Sequence, residues 1–204
     1  MLDPIFRPLK EKMLIPSSRI IGRYVKPNTL SVFAFLAGVG SAFLVLLHYP
    51  YWALACWVLN RILDGYDGTV ARLTNQKTDF GGYLDILLDF VVYALIPVVF
   101  TYIYTPDNFG WISLVVLLAL FYINSASWMY LSAVLEKKRA GAAETGEFTS
   151  VTMPSGLIEG TETVIIFSLF YIFPQFLVWF FWIMSATMVI GIIQRIVWAR
   201  KHLL

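Results

Sequence analysis

The stretch Asp64–Asp89 reads DGYDGTVARLTNQKTDFGGYLDILLD, and it decides what kind of chain this is. It carries the acids Asp64, Asp67, Asp85 and Asp89, yet the sequence on either side is apolar enough for lipid-spanning helices. An ionised carboxylate is costly at membrane depth, so its presence there marks a site. Four of them close together need a compensating cation. Carboxylate oxygens are hard ligands, and a hard divalent ion such as Mg2+ is their natural partner.

Composition supports the membrane reading. The chain has 204 residues, 59% of them hydrophobic and only 14% charged, with a mean hydropathy of +0.73. A soluble domain carries about a quarter charged residues. The expectation is one integral membrane domain, all-α, spanning residues 27–204 behind an N-terminal segment 1–26. Cys56 is the single cysteine and lies in an apolar run, which excludes an intrachain disulfide and fits core packing. No cleavable signal peptide is expected, because the first residues lack a long apolar core. Leu2, Ile5, Phe6, Leu9, Met13 and Leu14 recur at helical spacing with Arg7, Lys10 and Lys12 between them. That pattern suits an interfacial amphipathic helix on anionic lipid, bent or ended by Pro8 and Pro16; an irregular basic leader is the plainer alternative.

Six stretches approach the roughly 20 apolar residues that a spanning helix needs. They fall near Thr29–Leu47, Tyr51–Leu73, Phe80–Tyr104, Phe109–Leu135, Gly156–Phe173 and Gln175–Trp198. Breakers at His48-Tyr49-Pro50, Thr105-Pro106-Asp107-Asn108 and Phe173-Pro174 mark joints, and a polar segment from Glu136 to Pro154 separates the fourth and fifth stretches. With this count all fifteen Lys and Arg fall on one side, whereas the opposite loops hold only His48 and Asp107. The positive-inside rule then expects six transmembrane helices with both termini cytoplasmic. Trp52, Trp111, Trp179 and Trp198 lie near the expected interfaces and read as anchors.

Asp64 and Asp67 are three apart on the second span, and Asp85 and Asp89 are four apart on the third, so each pair shares a helix face. The short link Asn75–Thr78 is expected to make these helices antiparallel neighbours, converging the acids at the cytoplasmic rim. Gly65, Gly68, Ala71, Gly81 and Gly82 interleave them. Small residues admit either a neighbouring helix or a flat ligand such as a nucleobase. Arg72 can take a phosphate in bidentate fashion. Together these suggest a bound nucleotide diphosphate. A structural ion-pair network is the bland reading, but four acids against one or two bases leave uncompensated charge.

The string fills every fixed position of D-x2-D-G-x2-A-R-x8-G-x3-D-x3-D with Asp64, Asp67, Gly68, Ala71, Arg72, Gly81, Asp85 and Asp89. In this it resembles the CDP-alcohol phosphotransferase family, and the likeness in topology covers nearly the whole chain. The resemblance implies a Mg2+- or Mn2+-dependent membrane enzyme of phospholipid biosynthesis that cleaves a CDP-linked donor and releases CMP. It implies that Asp64, Asp67 and Asp85 are ligands of a two-metal centre, with Asp89 a further ligand and the general base. It implies that Gly68, Ala71 and Gly81 line the cytidine slot and that Arg72 supports the phosphates. Asn28, in Pro27-Asn28-Thr29, resembles the family's entry to the first span near the nucleotide; an ordinary helix cap is the alternative. A homodimer and a place in the bacterial cytoplasmic membrane or its equivalent are also implied, with no role for nucleic acid.

One branch of that family transfers a phosphatidyl group from CDP-diacylglycerol to a small polar alcohol. The other transfers phosphocholine or phosphoethanolamine to diacylglycerol, usually in longer chains, so the first is expected here. For the acceptor, Glu159 and Glu162 share a face and could orient hydroxyls or hold an ammonium group; helix-dipole acids are the alternative. Arg139 and Arg195 could bind a phosphate on the acceptor. Outside this family, an intramembrane prenyltransferase would need a second distant aspartate cluster, and an ion transporter more often shows repeated halves. The sequence has neither.

Overall fold

The structure, a computed structural model, describes residues 3–138 and 160–203. Among these every regular element is helical: α1 Asp3–Ile21, α2 Pro27–Leu46, α3 Pro50–Leu73, α4 Asp79–Tyr104, α5 Asn108–Lys137, α6 Gly160–Ile172 and α7 Leu177–Leu203, with a single 3-10 turn at Pro174–Phe176 before α7. Local chemistry sets the boundaries. Pro27 and Pro50 open α2 and α3 at positions whose N–H groups have no helical partner. Thr78 and Asp107 cap α4 and α5 by accepting from the amides of Gly81 and Gly110. Asn75 takes a left-handed backbone, φ 52°, in the tight link between α3 and α4.

Among the described residues, four segments are long and apolar enough to cross a membrane: Pro27–Leu46, Asp79–Tyr104, Asn108–Lys137 and Pro174–Leu203. The six expected spans correspond to α2 through α7, but two of them do not meet that measure. α3 has 24 residues, enough in length, yet carries Arg61, Asp64, Asp67 and Arg72 between its middle and its C-terminal end. α6 is described over only 13 residues.

α1 is a continuous helix through both Pro8 and Pro16. A proline removes one backbone hydrogen bond and strains the turn before it, but neither ends the helix here. Of its described side chains, Met13 is 72% exposed and Ile20 62%, whereas Ser18 is fully buried. Its inward face is thus partly polar. The Ser17 hydroxyl lies 2.9 Å from the Tyr66 hydroxyl on α3, and Gly22 sits so close to α3 that an added Cβ would lie 2.9 Å from a Thr74 methyl.

The packing corrects one expectation. α3 and α4 are not close neighbours at the backbone; α2 packs tightly on both. Gly38 makes this possible, since an added Cβ would lie 2.7 Å from Val92 on α4 and 3.1 Å from the Asn60 amide on α3. With α2 wedged against both, α3 and α4 meet through long side chains. The pairs Trp57 with Tyr93 and Arg61 with Asp89 run in opposite chain directions, so the antiparallel arrangement itself holds. The core begins at the Trp57–Tyr93 pair and extends away from the α3–α4 link, and it is strongly aromatic: Trp57, Phe100, Phe167, Phe170 and Phe181 are completely or almost completely buried. Buried serine adds polar ties between helices, with Ser41 of α2 donating to the Ala53 carbonyl at 2.7 Å and lying 2.6 Å from the Tyr171 hydroxyl of α6.

Candidate active site

The second half of α3 and the first half of α4 face one another across the gap that α2 sets. Asp64, Asp67 and Asp85 each bring a carboxylate oxygen to one place, all within 4.8 Å of one another. Asp67 is the most deeply buried, at 5% exposure. It is fixed by Ser31 of α2, whose hydroxyl donates to Oδ2 at 2.7 Å, and by the Gly68 amide donating to Oδ1. Converging carboxylates at this separation repel unless a cation lies among them. An all-oxygen, hard donor set of this kind fits Mg2+ or Mn2+.

Asp89 stands beside this trio, 26% exposed, and is gripped from α3. Arg61 Nη2 donates to its Oδ1 at 2.6 Å and Nη1 to its Oδ2 at 3.3 Å. Arg61 Nη1 also reaches Asp64 Oδ2 at 3.8 Å. Sequence reasoning treated Arg61 only as a topology charge. The available signal was its place one helical turn before Asp64 in an otherwise apolar run, where i and i+3 side chains meet. Ser31 and Tyr93 gave no such signal, because a serine or tyrosine in an apolar helix is ordinary packing.

The small residues have distinct neighbours. Asn28 lies against Gly81: an added Cβ there would sit 3.0 Å from Asn28 Oδ1 and 3.1 Å from Thr78 Oγ1. The start of α2 and the first turn of α4 therefore meet at two of the residues expected at the nucleotide. Gly68 lies under the Arg72 guanidinium, with an added Cβ 3.3 Å from Nη1. Ala71 is half-buried on the same helix. Arg72 is engaged by α1, its Nε donating to Glu11 Oε1 at 2.8 Å, with Thr69 Oγ1 3.4 Å from Nη2. Glu11 was not foreseen as part of this neighbourhood.

The acceptor residues are less gathered. Arg195 is 4% exposed on α7, and its Nη1 donates to the Asn124 side-chain oxygen of α5 at 3.0 Å, with Ser127 Oγ at 3.4 Å. Glu162 lies half-buried in the first turn of α6. Glu159 and Arg139 lie outside the described residues.

Comparison with known proteins gives the family and the fold. The sequence profile of the CDP-alcohol phosphatidyltransferase family matches residues 24–193. The inner membrane protein YnjF of Escherichia coli is 34% identical over 184 residues, covering 88% of this chain and 84% of that protein. A CDP-diacylglycerol–serine O-phosphatidyltransferase of Helicobacter pylori is 40% identical over 105 residues, half of this chain and 43% of that enzyme. Among solved structures, the Mycobacterium tuberculosis phosphatidylinositol phosphate synthase with CDP-DAG bound superposes with a TM-score of 0.68 at 20% identity, covering 91% of this chain and 92% of the other. The same enzyme with manganese and citrate gives 0.66 at 20% identity, covering 89% and 86%. At that identity the likeness is one of fold.

Proposed function

The chain belongs to the CDP-alcohol phosphatidyltransferase family, and from that premise we propose that it transfers a phosphatidyl group from CDP-diacylglycerol to the hydroxyl of a small polar alcohol, releasing CMP. The observation that carries this reading is the convergence of Asp64, Asp67 and Asp85 beside Asp89. Asp64, Asp67 and Asp85 would hold Mg2+ or Mn2+, with Asp89 as a further ligand. When bound, the ion supplies charge neutralisation at the diphosphate and Lewis acidity at the phosphoryl oxygens.

The chain's own residues do the rest. Asn28, Gly68, Ala71 and Gly81 border the nucleotide, the glycines letting a planar base approach the backbone. Arg72, freed from or shared with Glu11, faces the phosphates. Asp89 accepts the proton of the acceptor hydroxyl as that oxygen bonds to the lipid-side phosphorus; the bond from that phosphorus to CMP breaks, and CMP carries the displaced electron pair. Glu162, Glu159, Arg139 and Arg195 are the candidates for holding the acceptor. The reaction would occur on the cytoplasmic side of a six-span bundle, a reading supported by the one-sided placement of all fifteen Lys and Arg.

The test is CMP release by the purified protein with CDP-diacylglycerol and Mg2+ across serine, inositol, glycerol, choline, ethanolamine, glycerol 3-phosphate and inositol phosphate. Release stimulated by one acceptor, and abolished in Asp89→Asn, supports the reading. Release only when a CDP-linked amino alcohol and diacylglycerol are supplied moves the chain to the other branch. No release in either format sinks catalysis by the aspartate cluster.

A further inference from the structure

Arg61 has no place in the acid-and-glycine pattern, yet its side chain is 10% exposed and held on several sides. Nε donates to Asn60 Oδ1 at 2.6 Å. Nη1 donates to the Tyr93 hydroxyl at 2.8 Å. The guanidinium carbon lies 5.0 Å from the Trp57 ring centre and 5.1 Å from that of Tyr93. These partners are themselves fixed: Trp57 donates to Ser168 of α6 at 3.0 Å, and Asn60 donates to the Ala34 carbonyl of α2 at 2.8 Å. Side chains of α3 and α4 thus surround one guanidinium, braced by α2 through Asn60 and by α6 through Trp57, and its remaining donors face both oxygens of Asp89.

We propose that Arg61 is a positioning residue for the transfer reaction, holding the Asp89 carboxylate in the orientation from which it accepts the acceptor proton. The inference rests on the reading of Asp89 as the base. A guanidinium is planar, permanently charged and fork-shaped, so pairing with both oxygens fixes the carboxylate plane as well as its position. Each oxygen keeps a further lone pair, one for the hydroxyl proton and one for a metal ion. The Arg61 contact to Asp64 is the longer one, 3.8 Å against 2.6 Å to Asp89, so its principal hold is on Asp89. Without Arg61, Asp89 would turn toward whatever cation lies among the other three acids and lose its aim at the acceptor.

The experiment uses the full chain in lipid nanodiscs, with Arg61→Gln, Arg61→Lys and Asp89→Asn. It measures kcat, the KM for CDP-diacylglycerol, and Mn2+ binding by electron paramagnetic resonance in the absence of substrate. Arg61→Gln is expected to lower kcat about 100-fold, the scale of a misplaced reacting group, with KM little changed and Mn2+ still bound. Arg61→Lys, a point charge without the fork, should recover part of that loss. Loss of Mn2+ binding in both Arg61 variants would overturn the inference, because Arg61 would then be holding the metal centre rather than Asp89. A wild-type kcat in either Arg61 variant beside an inactive Asp89→Asn would overturn it while sparing the assignment of the base. An Asp89→Asn protein that keeps its rate would sink that assignment itself, and the inference with it.

Discussion

α3 and α4 are each two different materials joined end to end. From Trp57 and Tyr93 away from their link, they bury rings and branched side chains: Trp57 against Phe167 at 5.7 Å between ring centres, Phe100 against Tyr171 at 4.7 Å, with Ile96 and Ala53 fully buried among them. From Arg61 and Asp89 toward the link, the same helices carry acids, glycines and arginines, mostly at intermediate burial and with Asp67 buried. The first half is packed to closure and sets where the backbones run. The second inherits that geometry and spends its side chains on charge. The junction is Arg61, whose flank lies on the aromatic rings and whose donors face the carboxylates. A site of mutually repelling acids is held together here by a core that contains none of them.

That contrast can be broken by experiment. Asp89→Asn should lower CMP release by about 10²–10⁴-fold, the usual reach of general-base catalysis, with no fall in the thermal unfolding midpoint; a large drop in stability would show the acidic half to be structural. Trp57→Ala should do the reverse in order of cause. It opens a cavity in the closed half and removes the rings' hold on Arg61, costing about 3–5 kcal/mol of stability, read as a lowered melting temperature in detergent, with activity falling in consequence. Gly38→Val, which forces α2 away from Val92 and Asn60, should cost about 1–3 kcal/mol by overpacking; an unchanged melting temperature would mean that α2 is not wedged as described. Glu11→Gln, which loosens α1 from Arg72 at a partly exposed pair, should cost less than about 1 kcal/mol, with any larger effect confined to the KM for the nucleotide donor.

Much of this molecule was legible from the chain alone. The acids and glycines of 64–89 carried the family, because metal and phosphate chemistry demands those residue types at helical spacing. The apolar runs and their breakers located the helix joints to within a few residues from α2 to α5, since Pro27, Pro50, Thr78 and Asp107 act through their own backbone and neighbours. What could not be read was how helices far apart in sequence meet. The wedge of α2 depends on Gly38, an unremarked small residue in an apolar run. The partners of Asp89 lie 28 residues upstream of it in Arg61, and Ser31 reaches Asp67 from another helix. Composition classed α3 poorly as a span for the same reason that it matters: its charges are satisfied across helices, which no one-dimensional average registers.

The wedge at Gly38 has one more consequence. α2 supplies none of the four carboxylates, yet its thickness at one position spaces the two helices that do. It works as a shim between jaws. The spacing of the carboxylates is then tunable from a residue on a helix that carries none of them, by changing the shim and leaving the teeth alone.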